Sequence, residues 1–372
     1  MPADRLLVTG GAGFIGANFV HYWTQTHAGD RVVVLDALTY AGNLPSIESL
    51  RRLETFRFVQ GDIRDTALVC KLMREERINR IVHFAAESHV DRSIHGPDAF
   101  IQTNVVGTCN LLQAARDVWG DGKGTPDCRF HHVSTDEVYG TLARDDPAFV
   151  ESTAYDPSSP YAASKAASDH FVRAYHRTYG LRISISNCSN NYGPYHFPEK
   201  LIPLMIVNAL SGRELPVYGD GSNVRDWLFV EDHCRAIDQI LRMDCVGETY
   251  NIGGRAETAN LDLVRNLCRL LDEAIGASPR LQEHYPDCPA ARGSSCAELI
   301  TFVADRPGHD WRYAIDATKL RKATGFQPGE SLVSGLRKTV SWYLQNEAWW
   351  RPLLDERYAQ WVQQNYKRSE RS

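Results

Sequence analysis

Thr9-Gly10-Gly11-Ala12-Gly13-Phe14-Ile15-Gly16 follows a short apolar run, Arg5–Thr9, and opens an amphipathic stretch that reads as a helix over about 14–28. Each glycine has a separate physical use. Gly10 permits a tight turn, Gly13 lets backbone N–H groups approach a pyrophosphate, and Gly16 allows close packing of helix on strand. An anion held there sits at a helix N-terminus, where unpaired N–H groups and the macrodipole favour negative charge. Asp36 ends the next apolar run, about 20 residues on, where an acid accepts hydrogen bonds from an adenosine ribose and repels a 2′-phosphate. A glycine-rich turn alone is weak evidence; strand before, helix after and an acid closing the second strand point to NAD rather than NADP. Asp62, at the end of the third run, either borders the adenine or is an ordinary turn residue.

Outward from this turn, β-rich runs at 5–9, 31–36, 56–59, 80–85, 129–134 and 181–187 alternate with helical patterns at about 14–28, 65–77, 98–119 and 160–180. Strand, helix, strand at this spacing implies parallel strands with right-handed crossovers. The expected fold is α/β, a Rossmann-type doubly wound parallel sheet with a smaller, discontinuous substrate-binding α/β domain. The NAD-binding domain is assigned to 1–186 plus about 226–252, where the run 227–230, a helix from Glu231 and the run 249–252 return to the first sheet. The second domain takes about 187–225 plus 253–366. Residues 276–298, with Pro279, Pro286, Pro289 and Gly293, read as a loop insertion and are expected to be disordered; 367–372 read as a fraying tail.

The 372 residues are 43% hydrophobic, enough for a sizeable core, and the net charge of -5 argues against binding a nucleic-acid backbone. Nine cysteines at 70, 109, 128, 188, 234, 245, 268, 288 and 296 form no Cys-x-x-Cys and no regular framework, so they read as reduced thiols in a cytoplasmic protein. No signal-peptide pattern opens the chain, and no run of about 18 apolar residues predicts a membrane span. His131 and His132 point to opposite faces of a strand and cannot share a metal, and no other metal motif is present. Cys188 reads as a packing thiol.

Two further motifs carry chemistry. Ser158-Ser159-Pro160 supplies a cap and first turn for a helix on which Tyr161 and Lys165 fall one turn apart. An ammonium beside the phenol is expected to lower its pKa and make it a base towards an alcohol. At the end of the fifth strand, Thr135-Asp136-Glu137 sets two carboxyl groups at the ligand edge of the sheet. Two carboxyl groups with separated pKa values fit a dehydration, which needs an acid for the leaving hydroxyl and a base for a carbon-bound proton.

The glycine turn with Tyr161-x-x-x-Lys165 resembles the extended short-chain dehydrogenase/reductase superfamily. Thr135-Asp136-Glu137, Leu38-Thr39-Tyr40-Ala41-Gly42-Asn43-Leu44, Ala85-Ala86-Glu87-Ser88-His89-Val90-Asp91-Arg92-Ser93, Asn187-Cys188-Ser189-Asn190-Asn191-Tyr192-Gly193-Pro194-Tyr195 and Asp305-Arg306-Pro307-Gly308-His309-Asp310 narrow it. Together they resemble the sugar-nucleotide 4,6-dehydratases, those acting on dTDP-glucose in particular, over nearly the whole chain. The resemblance implies tightly bound NAD+, C4 oxidation assisted by Tyr161, Lys165 and Thr135, loss of water across C5 and C6 through Glu137 and Asp136, and hydride return to C6. It places Gly10, Gly13, Phe14, Ile15, Gly16, Asp36, Leu38, Thr39, Asp62, Ile63, Ala85, Ala86, Thr103 and Asn191 around the cofactor. It places Ser88, Asn190, Lys200, Leu201, Pro216, Val217, Tyr218, Arg225, Asn260, Asp305, Arg306 and His309 around the nucleotide sugar, with Arg225 and Arg306 as candidates for the diphosphate. It also implies a homodimer through the helices near 98–119 and 160–180, whose apolar residues include Val105, Leu111, Leu112, Ala115, Phe171, Val172 and Tyr175. The alternatives are another nucleotide-sugar 4,6-dehydratase, a 4-epimerase, which needs no acid/base pair at C5 and C6, or a non-catalytic NAD-binding regulator.

Overall fold

The computed structural model describes residues 3–120, 127–305, 308–355, 358 and 360. In chain order the strands are β1 Arg5–Thr9, β2 Arg31–Asp36, β3 Phe56–Gln60, β4 Arg80–His83, β5 Arg129–Thr135 and β6 Ile183–Cys188. They continue with β7 Asn190–Tyr192, β8 Leu215–Tyr218, β9 Val224–Phe229, β10 Glu248–Ile252, β11 Glu257–Ala259 and β12 Ile300–Val303. The helices are α1 Phe14–Thr26, α2 Thr66–Glu75, α3 Val90–His95, α4 Pro97–Phe100, α5 Thr108–Trp119, α6 Pro160–Tyr179 and α7 Leu201–Leu210. After them come α8 Val230–Arg242, α9 Asn260–Gly276, α10 Pro279–His284, α11 Thr318–Thr324, α12 Leu332–Gln345 and α13 Glu347–Trp350.

Among the described residues, seven parallel strands form the large sheet in the order β3-β2-β1-β4-β5-β6-β10. Its strands are apolar on both faces because helices cover both. Leu6, Val8, Val32 and Val34 pack with Phe19, Val20 and Trp23 of α1 and Ile237 and Ile240 of α8. The alternate residues Leu7, Val33 and Leu35 pack on the other side with Val69 and Leu72 of α2 and Leu111, Leu112 and Ala115 of α5. Chain order reverses between β1 and β4, which opens a crevice at the carboxyl ends of those strands.

The run expected at 227–230 does not enter this sheet. It lies within β9, which pairs with β7 and β11 in a separate three-stranded sheet, so only α8 and β10 return to the large one. Leu204's neighbours on α7, with α9, α12, β8 and β9, enclose a second core that includes Ile206, Trp227, Leu267 and Leu336.

The segment 276–298 is folded, contrary to the expectation of disorder. α10 is capped by Ser278, which accepts from Leu281 N, and two 3₁₀ turns follow at Pro289–Arg292 and Cys296–Leu299. Tyr285, Cys288, Ala290 and Cys296 are buried in the second core, the two sulfurs 3.6 Å apart. The prolines and glycines that suggested a loop start the short helices and end one of them, while a few apolar side chains between them supply the anchorage. The tail 367–372 lies outside the described residues.

Helix 98–119 is also interrupted. Residues Ile101–Gly107 take π-helical geometry between α4 and α5. There Asn104 turns inward, accepting from Glu87 N and donating to Glu87 O, both at 2.9 Å, and donating to Ser164 Oγ. Leu111, Leu112, Ala115 and Val172 are core residues, whereas Phe171 is 42% exposed and Ile101 49%.

Candidate active site

A cleft of about 690 Å³ runs from the carboxyl ends of β1, β2 and β4 past β5 to the second core. The glycine turn forms its floor. Gly10 has φ +71° and a Cβ there would lie 2.6 Å from Ala85 N, so both backbone strain and space exclude a side chain. A Cβ on Gly16 would meet Gly10 O at 2.2 Å. Gly13, the residue preceding α1, lines the cleft at the helix N-terminus, where a Cβ would press on Gly10 O at 3.3 Å, a cradle suited to a pyrophosphate. Asp36 is buried, and its two oxygens accept from Ala12 N at 2.9 Å and Leu38 N at 2.8 Å. Burial raises its carboxyl pKa and those two N–H groups oppose the rise. The turn and the acid thus lock each other, leaving the carboxylate's other lone pairs for a ribose. Phe14 stacks on His196 with ring centroids 4.1 Å apart, fixing the outer side of the cradle.

Of the residues expected at the cofactor, all but Leu38 line the cleft. Leu38 instead takes φ +53° so that its N–H can reach Asp36. Asp62 lines it while paired to Arg64 at 2.7 Å, a pairing that holds its carboxyl below the usual range.

The reaction-selecting groups meet on the opposite wall. β5 ends at Thr135, whose side chain accepts from Glu137 N at 3.2 Å and starts a 3₁₀ turn over Asp136–Tyr139. That turn sends both carboxyl groups into the cleft. Asp136 is 2% exposed; Oδ1 accepts from Thr135 Oγ1 at 3.4 Å, and Oδ2 meets no hydrogen-bond partner among the described residues. Burial pushes its pKa well above the usual carboxylate range, and the charges of Glu137 and Asp226 push it further. Glu137 is half-buried beside it.

α6 starts as expected, with Ser159 Oγ accepting from Ala162 N at 3.1 Å and Pro160 in the first turn. Tyr161 and Lys165 both reach the cleft, and Thr135 hydrogen-bonds the phenol. The expectation that Lys165 lowers the phenol pKa is corrected. Burial raises that pKa well above its ordinary value, followed by the charge of Glu137 and by Cys188, and the opposing contribution comes from Thr135. Lys165 Nζ is directed elsewhere, donating to Val133 O at 2.9 Å. Its own pKa is pushed down to about 8 by burial, with Asp169 opposing.

Ser88, Asn190, Lys200, Leu201, Pro216, Val217, Tyr218, Arg225, Asn260 and His309 line the far end. Asn190 Oδ1, Asn260 Oδ1 and Trp227 Nε1 are buried there without hydrogen-bond partners among the described residues, which marks a surface awaiting a polar ligand. Two expectations shift. Arg225 is buried and donates to the carbonyls of Val224, Asp310 and Trp311 at 2.7–3.3 Å while lying over the Tyr313 ring, so it braces the 310–311 loop as well as lining the cleft. Asp305 is not in the cleft lining; its Oδ1 meets His309 Nδ1 at 2.6 Å and orients that ring. Arg306 lies outside the described residues.

His132 and Asp169, behind Lys165, and the ion pair Arg92–Glu199 at 2.9 Å, beside Lys200, were missed from the sequence. A signal existed for one of them: Asp169 continues the four-residue spacing of Tyr161 and Lys165. His131 and His132 do face opposite ways, His131 towards Ser184 and Ser186 and His132 towards α6. Among the described residues no cluster of three metal-ligating side chains occurs and no helix is long and apolar enough to cross a membrane.

A glycine cradle facing a Tyr/Lys pair and two carboxyl groups of unequal burial defines an NAD-dependent dehydratase site of the extended short-chain dehydrogenase/reductase type. A family model described as GDP-mannose 4,6 dehydratase matches residues 7–339, and the chain belongs to that family. Within it, the chain is 54% identical to a dTDP-glucose 4,6-dehydratase of Neisseria meningitidis, over 95% of this chain and 97% of the relative. A crystal structure of a Streptomyces venezuelae dTDP-glucose 4,6-dehydratase with NAD and TYD bound is 47% identical, with TM-score 0.83, and covers 94% of this chain and 99% of its own. A UDP-glucose 4-epimerase of Thermotoga maritima shares the fold at TM-score 0.77 but only 25% identity, over 92% and 99% of the two chains.

Proposed function

We propose that this chain converts dTDP-glucose to dTDP-4-keto-6-deoxyglucose and water. The observation that carries the reading is Asp136 beside Glu137 at the cleft end of β5: one enclosed and lacking a partner for Oδ2, the other half-buried. That asymmetry separates a proton donor from a proton acceptor. A 4-epimerase needs neither, and a regulator that only binds NAD would gain nothing from two carboxyl groups in this wall.

The glycine turn and Asp36 would hold NAD+, which when bound would supply a hydride acceptor for C4 and the donor for C6. The protein's own groups move the protons. Tyr161 takes the C4 hydroxyl proton as the phenolate, which the positive charges of Lys165 and of bound NAD+ would favour against burial, with Thr135 hydrogen-bonded to the same phenol. The C4 ketone acidifies the C5 proton, which Glu137 removes. Asp136, kept protonated by burial, gives its proton to the C6 hydroxyl, which leaves as water. Glu137 then returns the proton to C5, and the cycle closes when Tyr161 gives up its gained proton to solvent and Asp136 regains one from it.

The large sheet with α8 and β10 forms the cofactor lobe, about 1–188 plus 230–252, and about 189–229, β9 included, with 253–355 forms the nucleotide-sugar lobe. Asn190, Lys200, Tyr218, Arg225, Asn260, His309 and, from outside the described residues, Arg306 grip the nucleotide sugar. The exposed Phe171 and Ile101, on α6 and the π-helical segment, support a homodimer through these helices. The thiol-rich composition and the lack of a predicted membrane span support a cytoplasmic location. Incubation of purified protein with dTDP-glucose, UDP-glucose and GDP-mannose, followed by mass spectrometry, tests the reading. Loss of one water from dTDP-glucose is expected, and no loss from it overturns the proposal.

A further inference from the structure

Tyr161, Lys165, Asp169 and Arg173 recur every fourth residue along α6, so they descend one side of the helix a turn at a time. The first two face the cleft; the next two lead away from it. Asp169 is 0% exposed and Lys165 4%. His132 from β5 stands between them, its Nε2 3.2 Å from Asp169 Oδ1 and 3.5 Å from Lys165 Nζ. The other oxygen, Asp169 Oδ2, accepts from the Tyr155 hydroxyl at 2.8 Å, and that hydroxyl accepts from Arg173 Nη2 at 2.6 Å. Arg173 lines a polar side cavity of about 320 Å³ with His170, Arg177 and Lys319.

We propose that Asp169 is a positioning residue for the reaction: across the His132 ring it balances the charge of Lys165 and keeps the ammonium on the Val133 carbonyl beside Tyr161. The argument is one of enclosure. An ammonium removed from water needs compensating charge, and the close partners of Lys165, a carbonyl and an imidazole, are neutral. His132 is kept uncharged, its pKa pushed down to about 4 by burial and by Lys165. The other titratable groups acting on Lys165 or acted on by it are Cys188 of β6, whose thiol is pushed up by burial, and His83 of β4, pushed well down. Asp169, held below the ordinary carboxylate range chiefly by His132 against the effect of burial, is therefore the anion of this pocket. It turns a lysine that burial would discharge into one that stays protonated at neutral pH.

The inference rests on the proposed roles of Tyr161 and Lys165, and the test separates the two. The pH dependence of kcat is measured for NAD-loaded wild type, Asp169→Asn, Asp169→Glu and Arg173→Met with dTDP-glucose. Loss of the Asp169 charge lets burial lower the Lys165 pKa further, so the alkaline limb of Asp169→Asn moves to lower pH. That is about tenfold less activity on the alkaline side for each unit moved, recovered on acidification. Asp169→Glu restores the limb. Arg173→Met, at a half-buried site where the arginine donates to Tyr155 and Thr249, removes a charge that does not act directly on Lys165 and is expected to leave the limb in place. A limb that stays put in Asp169→Asn while kcat falls evenly overturns the proposal. If that variant does not fold, an alkaline limb unmoved in Lys165→Arg, whose guanidinium does not discharge, does so. Wild type inactive on every nucleotide sugar overturns the functional reading instead.

Discussion

Thr135 Oγ1 donates to Asp136 Oδ1 at 3.4 Å, and Asp136 Oδ2 meets no partner among the described residues. A carboxyl group so placed is pushed towards its protonated form, because burial and the neighbouring Glu137 and Asp226 charges disfavour the ionised one. Asp136→Asn keeps the shape and removes the transferable proton. It is expected to lower turnover by about 10²–10⁴-fold. Oxidation at C4 survives, so reduced nicotinamide accumulates on addition of dTDP-glucose, visible by its near-ultraviolet absorbance. Turnover at the wild-type rate would remove Asp136 from the acid role.

The same residue makes a stability prediction with a definite sign. Its folded pKa lies above the ordinary value of about 3.9, so its contribution favours the folded state only below that value. Above about pH 4 the unfolded chain gives up the proton more readily and the wild type is penalised. Asp136→Asn, which does not ionise, is therefore expected to be more stable at pH 7–8, by about 1.4 kcal/mol for each unit by which the wild-type carboxyl is raised. The gain should disappear near pH 3, and urea unfolding at the two pH values checks both halves.

Tyr161→Phe acts one step earlier. Without the phenol nothing takes the C4 hydroxyl proton, and neither product nor reduced nicotinamide should form. Glu137→Gln sits between the two variants: nicotinamide reduction persists, and exchange of the C5 proton with deuterium from solvent is lost. The three variants thus separate by two readouts, absorbance and isotope content.

Gly10→Ala tests the cradle. At φ +71°, with Ala85 N 2.6 Å from the new Cβ, the backbone must shift, at a cost of about 1–3 kcal/mol. The variant should purify with little NAD, and its melting temperature should fall. A variant that keeps full NAD content would mean that the turn is not the anchor.

Thiol labelling probes the segment 276–298. Cys288 and Cys296 are buried and Cys245 is exposed, so a maleimide should modify Cys245 in the native protein and spare the other two until the protein unfolds. Prompt labelling of Cys288 would mean that the segment is open.

Much of the site was legible in the sequence because its chemistry sits in short, contiguous motifs. The glycine turn, Asp36, Thr135-Asp136-Glu137 and the Tyr161/Lys165 pair depend on spacing within one element, and spacing survives in the sequence. What was lost depends on contacts between elements. The direction of the Lys165 ammonium is set by Val133 and His132 from another strand. Arg225 is shared with the 310–311 loop, far along the chain. The order of 276–298 comes from four buried side chains scattered among turn-forming residues, too few to produce a periodic signal. The placement of β9 in its own sheet follows from pairing with β7 and β11, which strand propensity alone does not encode.

The strand β8, which brings Pro216, Val217 and Tyr218 to the cleft, pairs among the described residues only with β12, the strand that follows the folded segment. These two strands are short and distant in the chain, so closing the loop between them precedes any gain from their pairing. The wall that faces the nucleotide sugar is thus assembled late in folding and is the part that opens most readily afterwards. Amide hydrogens in β8 and β12 should exchange with solvent well ahead of those in β5 and β6, which have neighbours on both sides. The opening that such exchange reports loosens the substrate end of the cleft on a timescale of its own, while the large sheet stays closed.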